Sequence, residues 1–178
     1  MNRSALRQRI SALTACAGAL AYAVSKVDLA LKEELGMPGF PAPAESYERV
    51  GDVTTAQLGN AGLGLFMALI ALLLLRPRAN PFMRWGTALV SWAGIAMVGA
   101  GVIGFGARAA GVAPALGAPP PEAGPAIAAL AVGAVWVVAW SVAAVGAMRG
   151  RHRRGDKEVV CPCGEGNSCT LPHVHVSC

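Results

Sequence analysis

Charge is what this chain has least of. Asp, Glu, Lys and Arg make up 14% of its 178 residues, and none of them, nor any histidine, falls within Ile10–Ser25, Val53–Leu75, Trp85–Ala107 or Ala123–Met148. These runs of 16, 23, 23 and 26 residues compare with the ~20 apolar residues that cross a ~30 Å hydrocarbon layer. A soluble core of this size needs no such runs. The absence of ionisable groups inside them also disfavours proton relays and ion-coupled transport, which place such groups at membrane depth. Histidine is missing from the first 151 residues and every carboxylate lies between or after the runs. No Ser/His/Asp set, phosphate-binding loop, His-Glu-x-x-His motif or paired carboxylate can be assembled from what remains, so a non-enzyme is expected.

What is present is therefore read as an all-α fold: a transmembrane four-helix bundle made of two helical hairpins, followed by a disordered Cys/His-rich tail. Residues 1–9 form a basic N-terminus, 10–148 the membrane domain with spans at about 10–31, 53–75, 85–107 and 125–148, and 149–178 a basic and Cys/His-rich tail. The first run is short and needs Lys26 to snorkel, or the helix to continue past Val27 and Leu29. It also admits a processing reading, because Arg3, Arg7 and Arg9 precede an apolar stretch ending in Ala21-Tyr22-Ala23, a small-x-small sequence like a signal-peptidase site.

Orientation follows from the basic residues. Arg3, Arg7, Arg9, Arg76, Arg78, Arg84, Arg149, Arg151, Arg153, Arg154 and Lys157 fall on one side, while Lys26, Lys32, Arg49 and Arg108 fall on the other. This places both termini in the cytoplasm of a multi-pass cell-membrane protein. The net charge of +5 is then a topology signal and a contact with anionic headgroups, with no nucleic-acid partner implied.

The connections on the far side differ. Lys26–Asp52 holds Asp28, Glu33, Glu34, Glu45, Glu48 and Asp52 around a Pro-rich centre. The spacing of Asp28 and Lys32 predicts that the first helix runs on to Gly36, with a short helix over 44–52 to follow. Residues 108–124, with Pro114, Pro119, Pro120 and Pro121, read as a stiff unstructured crossover. Within the spans, Gln57 and Asn60 share a face and line a small polar site or bond across helices. Trp136, near mid-span, is expected to pack. Ala96, Ala100 and Gly104 form a small-xxx-small ridge expected to serve packing within the bundle. A second copy or another membrane protein are the partners such a ridge also allows, beside the lipid bilayer itself.

The tail carries the only soft-ligand chemistry. Four of five cysteines and all three histidines lie in 152–178. On the reducing side of the membrane these thiols point to metal or redox chemistry rather than disulfides. Cys161, Cys163 and Cys169 with one of His173, His175 or Cys178 would suit Zn(II) or Cu(I), in a site that forms only on binding. A scaffold or interaction subunit without metal, and a thiol redox-sensing tail, are the alternatives. Cys161-Pro162-Cys163 is similar to the Cys-Pro-Cys of copper-transporting P-type ATPases, whose remaining domains have no counterpart here. Four spans with a cysteine in the first and a Cys/His tail are similar in layout to small bacterial mercury-uptake proteins; those carry adjacent cysteines where Cys16 stands between Ala15 and Ala17. Over about residues 10–150 the Ala/Gly-rich body with its acidic first outer loop resembles uncharacterised small four-span integral membrane proteins of high-GC bacteria, which implies an integral membrane fold.

Overall fold

The structure, a computed structural model, describes residues 3–38, 40–75, 80–120 and 123–149. The chain divides into units Met1–Met148 and Arg149–Cys178, and the described architecture is that of the first. It is an all-α bundle of four long apolar helices, each able by length and composition to cross a membrane: α1 (Arg3–Leu31), α3 (Val53–Leu73), α4 (Pro81–Ala109) and α5 (Ala123–Arg149). Between α1 and α3 lie a hairpin of β1 (Gly36–Met37) and β2 (Phe40–Pro41) and the short α2 (Ala44–Arg49); a 3-10 turn, Pro114–Leu116, sits between α4 and α5. At 29, 21, 29 and 27 residues, the four helices are about 44, 32, 44 and 40 Å long.

Lipid offers apolar side chains no hydrophobic reason to leave it, so helices in a membrane associate where small residues let backbones approach. α1 and α3 do this over their whole length. Ala12, Ala15, Ala19 and Ala23 of α1 are buried, as are Ala61, Ala68 and Ala71 of α3. A Cβ on Gly64 would sit 3.1 Å from the Ala19 carbonyl and 2.9 Å from the Tyr22 ring, so glycine is required there. The pair is pinned at both ends, by Gln8 Nε2 donating to the Leu74 carbonyl at 3.0 Å and Thr54 Oγ1 donating to the Ala30 carbonyl at 3.3 Å. Both acceptors are carbonyls near a helix C-terminus, where intrahelical partners run out, and that of Ala30 also accepts from the Glu33 amide.

α5 closes the bundle with two large residues. Trp136 and Trp140 stack with ring centres 6.1 Å apart and are 5% and 1% exposed. Gly18 of α1 and Gly94 of α4 lie against their rings, and a Cβ on Gly18 would fall 2.7 Å from Trp136 Cγ. Trp136 therefore packs, as its mid-span position implied. Together with Met67, Ile70, Leu74 and Ile95 the tryptophans make one core cluster.

Four expectations are corrected. α1 begins seven residues ahead of Ile10, so part of the basic N-terminus is helical. It stops at Leu31, not Gly36: Glu33 takes the left-handed conformation (φ 55°), and its amide and that of Glu34 bond back to Ala30 and Leu29, the paired bonds that end a helix. The connection between α4 and α5, expected to be unstructured, carries the 3-10 turn among its prolines. Ala96 and Ala100 face outward, so they do not pack within the bundle. On α4 only Ser91 and Ile95 are buried.

The packing of α1 bears on processing. A cut after Ala23 would remove every α1 residue of the core cluster, so intact-mass analysis of membrane-extracted protein is expected to find α1 retained. A mature N-terminus at Val24 would contradict the fold. Gly64→Val, which forces a side chain into the α1–α3 seam, is expected to destabilise the protein by about 1–3 kcal/mol, read as a lowered midpoint of unfolding in detergent.

Candidate functional site

The six residues expected to hold a metal, Cys161, Cys163, Cys169, His173, His175 and Cys178, lie outside the described residues. Among the described residues no three His, Cys, Asp or Glu side chains are grouped so as to hold an ion, and Cys16 is a buried free thiol surrounded by the core cluster, where it serves as a small apolar residue.

What the described residues do build is a cap over the end of the bundle that carries the hairpin. Its centre is the segment 34–36, whose backbone polar groups are taken one after another by side chains and a neighbouring strand. Gln57 Nε2 of α3 donates to the Glu34 carbonyl at 2.7 Å. The Leu35 amide donates to the Tyr47 hydroxyl of α2 at 3.0 Å, while its carbonyl accepts from the Ala42 amide at 2.8 Å. Lys26 Nζ of α1 donates to the Gly36 carbonyl at 2.5 Å and lies 5.4 Å from the Tyr22 ring centre. Gly36 itself has φ 121°, and a Cβ there would collide with the Phe40 carbonyl; this is where glycine starts the hairpin.

Arg108, at the end of α4, ties the cap to the connection between α4 and α5. Its Nε donates to the Ala118 carbonyl at 2.8 Å and its terminal Nη2 to the Pro41 carbonyl at 3.2 Å. The guanidinium lies 5.5 Å from the Phe40 ring centre, and Phe40, 1% exposed, meets the Phe105 ring of α4 at 3.7 Å. The fork of a guanidinium suits this bridging of two carbonyls, which an ammonium would not reproduce. Asp52 completes the cap by receiving the amides of Thr54 and Thr55 and the Thr55 hydroxyl at the start of α3. The Thr55 hydroxyl above all, then the two amides, hold its carboxyl below the usual carboxylate range.

Sequence reasoning separated polar from apolar correctly but not which polar groups would be used. Gln57 and Asn60 share a face of α3, yet the structure splits them. Gln57 is 1% exposed with its Oε1 left without a partner, whereas Asn60 is exposed. Lys26, expected to snorkel, is 6% exposed: it reaches out of the apolar layer as snorkelling requires, but into the hairpin rather than into water. Arg108 was counted only for topology, since carbonyls of distant loop residues leave no sequence signal. Ser91 Oγ and the indole nitrogens of Trp136 and Trp140 are also buried without a partner among the described residues.

Chemically the cap is acceptor-saturated backbone held by donors. Lys26 and Arg108 are spent on carbonyls and Lys32 on Asp28 at 2.7 Å, the one ion pair among the described residues. Comparison of the chain with models of known families, with characterised proteins and with solved structures found no match in any of the three. The plain conclusion the geometry allows is an integral membrane protein with four apolar helices.

Two outcomes are expected from this arrangement. Lys26→Met strips the Gly36 carbonyl of its charged donor, worth roughly 1.5–3 kcal/mol, so amides in 34–42 should exchange with solvent more than about tenfold faster while those of 61–71 do not change. For Asp52, a depressed carboxyl contributes stability that is present above the unfolded-state pKa and lost as pH falls through the folded-state value. Thermal stability should therefore drop on acidification, and Asp52→Asn should remove part of that pH dependence; an identical pH profile would show the N-cap charge to be idle.

Proposed function

We propose that this is a non-catalytic membrane protein, both termini cytoplasmic, that holds one soft metal ion, Zn(II) or Cu(I), in its C-terminal segment through Cys161, Cys163 and Cys169 with His173, His175 or Cys178. The observation that carries it is the confinement of four of five cysteines and all three histidines to 152–178, beside a membrane body whose described residues group no three His, Cys, Asp or Glu. Supporting the orientation, 11 of the 15 Lys and Arg residues lie in 1–9, 76–84 and 149–157 against Lys26, Lys32, Arg49 and Arg108 at the other span ends, and basic residues near span ends are retained on the cytoplasmic side. Thiolate and neutral imidazole bind a soft ion only after losing protons, so affinity falls as pH drops.

Metal content of the full chain set against a chain ending at Asp156 tests this reading. About one ion per full-length chain and none in the shortened one is the expected result; near-zero metal in both, with no Zn(II) or Cu(I) bound by a peptide of 157–178, would end it. Orientation is tested apart, by an impermeant maleimide on intact cells: a cysteine replacing Ser46 should react and Cys178 should not.

A second reading, a membrane interaction subunit, is favoured by one observation. Ala96 and Ala100 are turned out of the bundle, and an added Cβ on Gly86, Gly99 or Gly101 meets nothing within 4 Å. Under that reading the tail is dispensable and metal content is zero in both chains.

A further inference from the structure

α1 carries two charges and its outward apolar surface on a single face. It is helical from Arg3, so Arg3 and Arg7 stand one turn apart, and Ile10, Leu13 and Leu20 continue the face they share. All five are exposed. The opposite side of the helix, with Ala12, Ala15, Cys16 and Ala19, is buried in the core cluster. Lys26, held in the cap, follows Arg7 by 19 residues, about 28 Å of helix, close to the ~30 Å of a hydrocarbon layer. With Lys26 at one boundary, Arg7 therefore stands at the headgroup level of the other, and Ile10 begins the part in contact with lipid chains.

The bundle offers this pair no counter-charge. No Asp or Glu occurs in 1–27, 53–121 or 123–155, and neither guanidinium has a partner among the described residues. Like charges one turn apart on a helix repel. An anion set between them removes that repulsion, and a planar guanidinium fork matches phosphate oxygens better than an ammonium does. The surface that follows is apolar, so the complement of the whole face is a phosphate that carries hydrocarbon chains.

We propose that this face of α1 binds one acidic phospholipid of the leaflet opposite the cap: its phosphate lies between Arg3 and Arg7, and an acyl chain runs along Ile10, Leu13 and Leu20. This differs from the diffuse attraction of basic residues to anionic headgroups. That attraction counts charges, whereas a site depends on which face carries them. Arg9 is exposed and bears the same charge, but it lies about 160° around the helix from Arg7 and takes no part. The site is independent of the metal reading.

The test uses the full-length protein reconstituted in equal parts of palmitoyl-oleoyl phosphatidylglycerol and palmitoyl-oleoyl phosphatidylcholine, extracted in mild detergent and weighed intact by native mass spectrometry. Wild-type protein should keep one phosphatidylglycerol, and no phosphatidylcholine, through washing that strips annular lipid. Arg3→Gln combined with Arg7→Gln should lower that retention more than about tenfold, as loss of hydrogen bonds from charged groups implies. Arg9→Gln, the control for charge alone, should retain the lipid as wild type does. Unchanged unfolding midpoints in detergent show that the variants fold. Equal retention of the two lipids by wild type overturns the proposal, as does undiminished retention by the double variant. A loss in Arg9→Gln as large as that in Arg7→Gln overturns it too, since the contact is then one of charge and not of a face.

Discussion

The contact of α1 with α3 is the constraint on which the rest of the bundle hangs. In water an alanine face is a weak reason to associate, but in lipid burial of apolar area decides nothing, and close approach of backbones is what remains. Gly64 against the Ala19 carbonyl, with buried alanines above and below it, sets these two axes close together. Gln8 and Thr54 then lock the register by using carbonyls near the helix ends. Because α1 and α3 are fixed to one another, their cap-side ends present Lys26 and Gln57 at neighbouring positions, and the loop between them has somewhere definite to dock. Without that register neither side chain would find segment 34–36.

The cap resolves a problem that a membrane sets for any loop near its surface. Each backbone group kept from water needs a partner, and a Pro-rich connection cannot supply them all from within. The bundle supplies them instead: an ammonium, an amide and a guanidinium, each aimed at a carbonyl. That use of charge differs from an ion pair. Lys26 and Arg108 lie within reach of a connection carrying six carboxylates, yet the described residues pair neither with any of them. The exposed glutamates are left as a negative surface, while Lys26 and Arg108 are consumed as hydrogen-bond donors.

The helices were legible because lipid imposes so crude a rule: a run without charge that is long enough must span. Their packing was not, and the reason is physical. In water the buried face of a helix is the apolar one; in lipid both faces are apolar, and α4 offers no asymmetry from which to tell inside from outside. That is why Ala96 and Ala100, which look like a packing ridge, point outward, while Ser91, the polar residue, is fully buried. The end of α1 misled for a related reason. Asp28 and Lys32 do form the expected pair, but a side-chain pair on the last turn does not decide where a helix stops, and Glu33 adopted the left-handed conformation that ends it with no glycine to announce it. The roles of Lys26 and Arg108 were hidden more deeply, since their partners are carbonyls, which every residue possesses. The Gln57–Asn60 face was visible as two amides in an apolar run, but only the docking of segment 34–36, whose Glu34 carbonyl Gln57 reaches, buries the one and leaves the other exposed.

Large aromatic contacts do for α4 what the alanine seam does for α1 and α3. Trp136 and Trp140 fill the bundle centre between Gly18 and Gly94, and side chains so large hold the helices they touch at fixed separations. α4 is held by Trp140 near its middle and by Phe40 through Phe105 near its end. With only Ser91 and Ile95 buried along it, α4 is positioned by these aromatic contacts rather than by a small-residue seam like that of α1 and α3, and alanine at 136 and 140 would leave it without its central anchor.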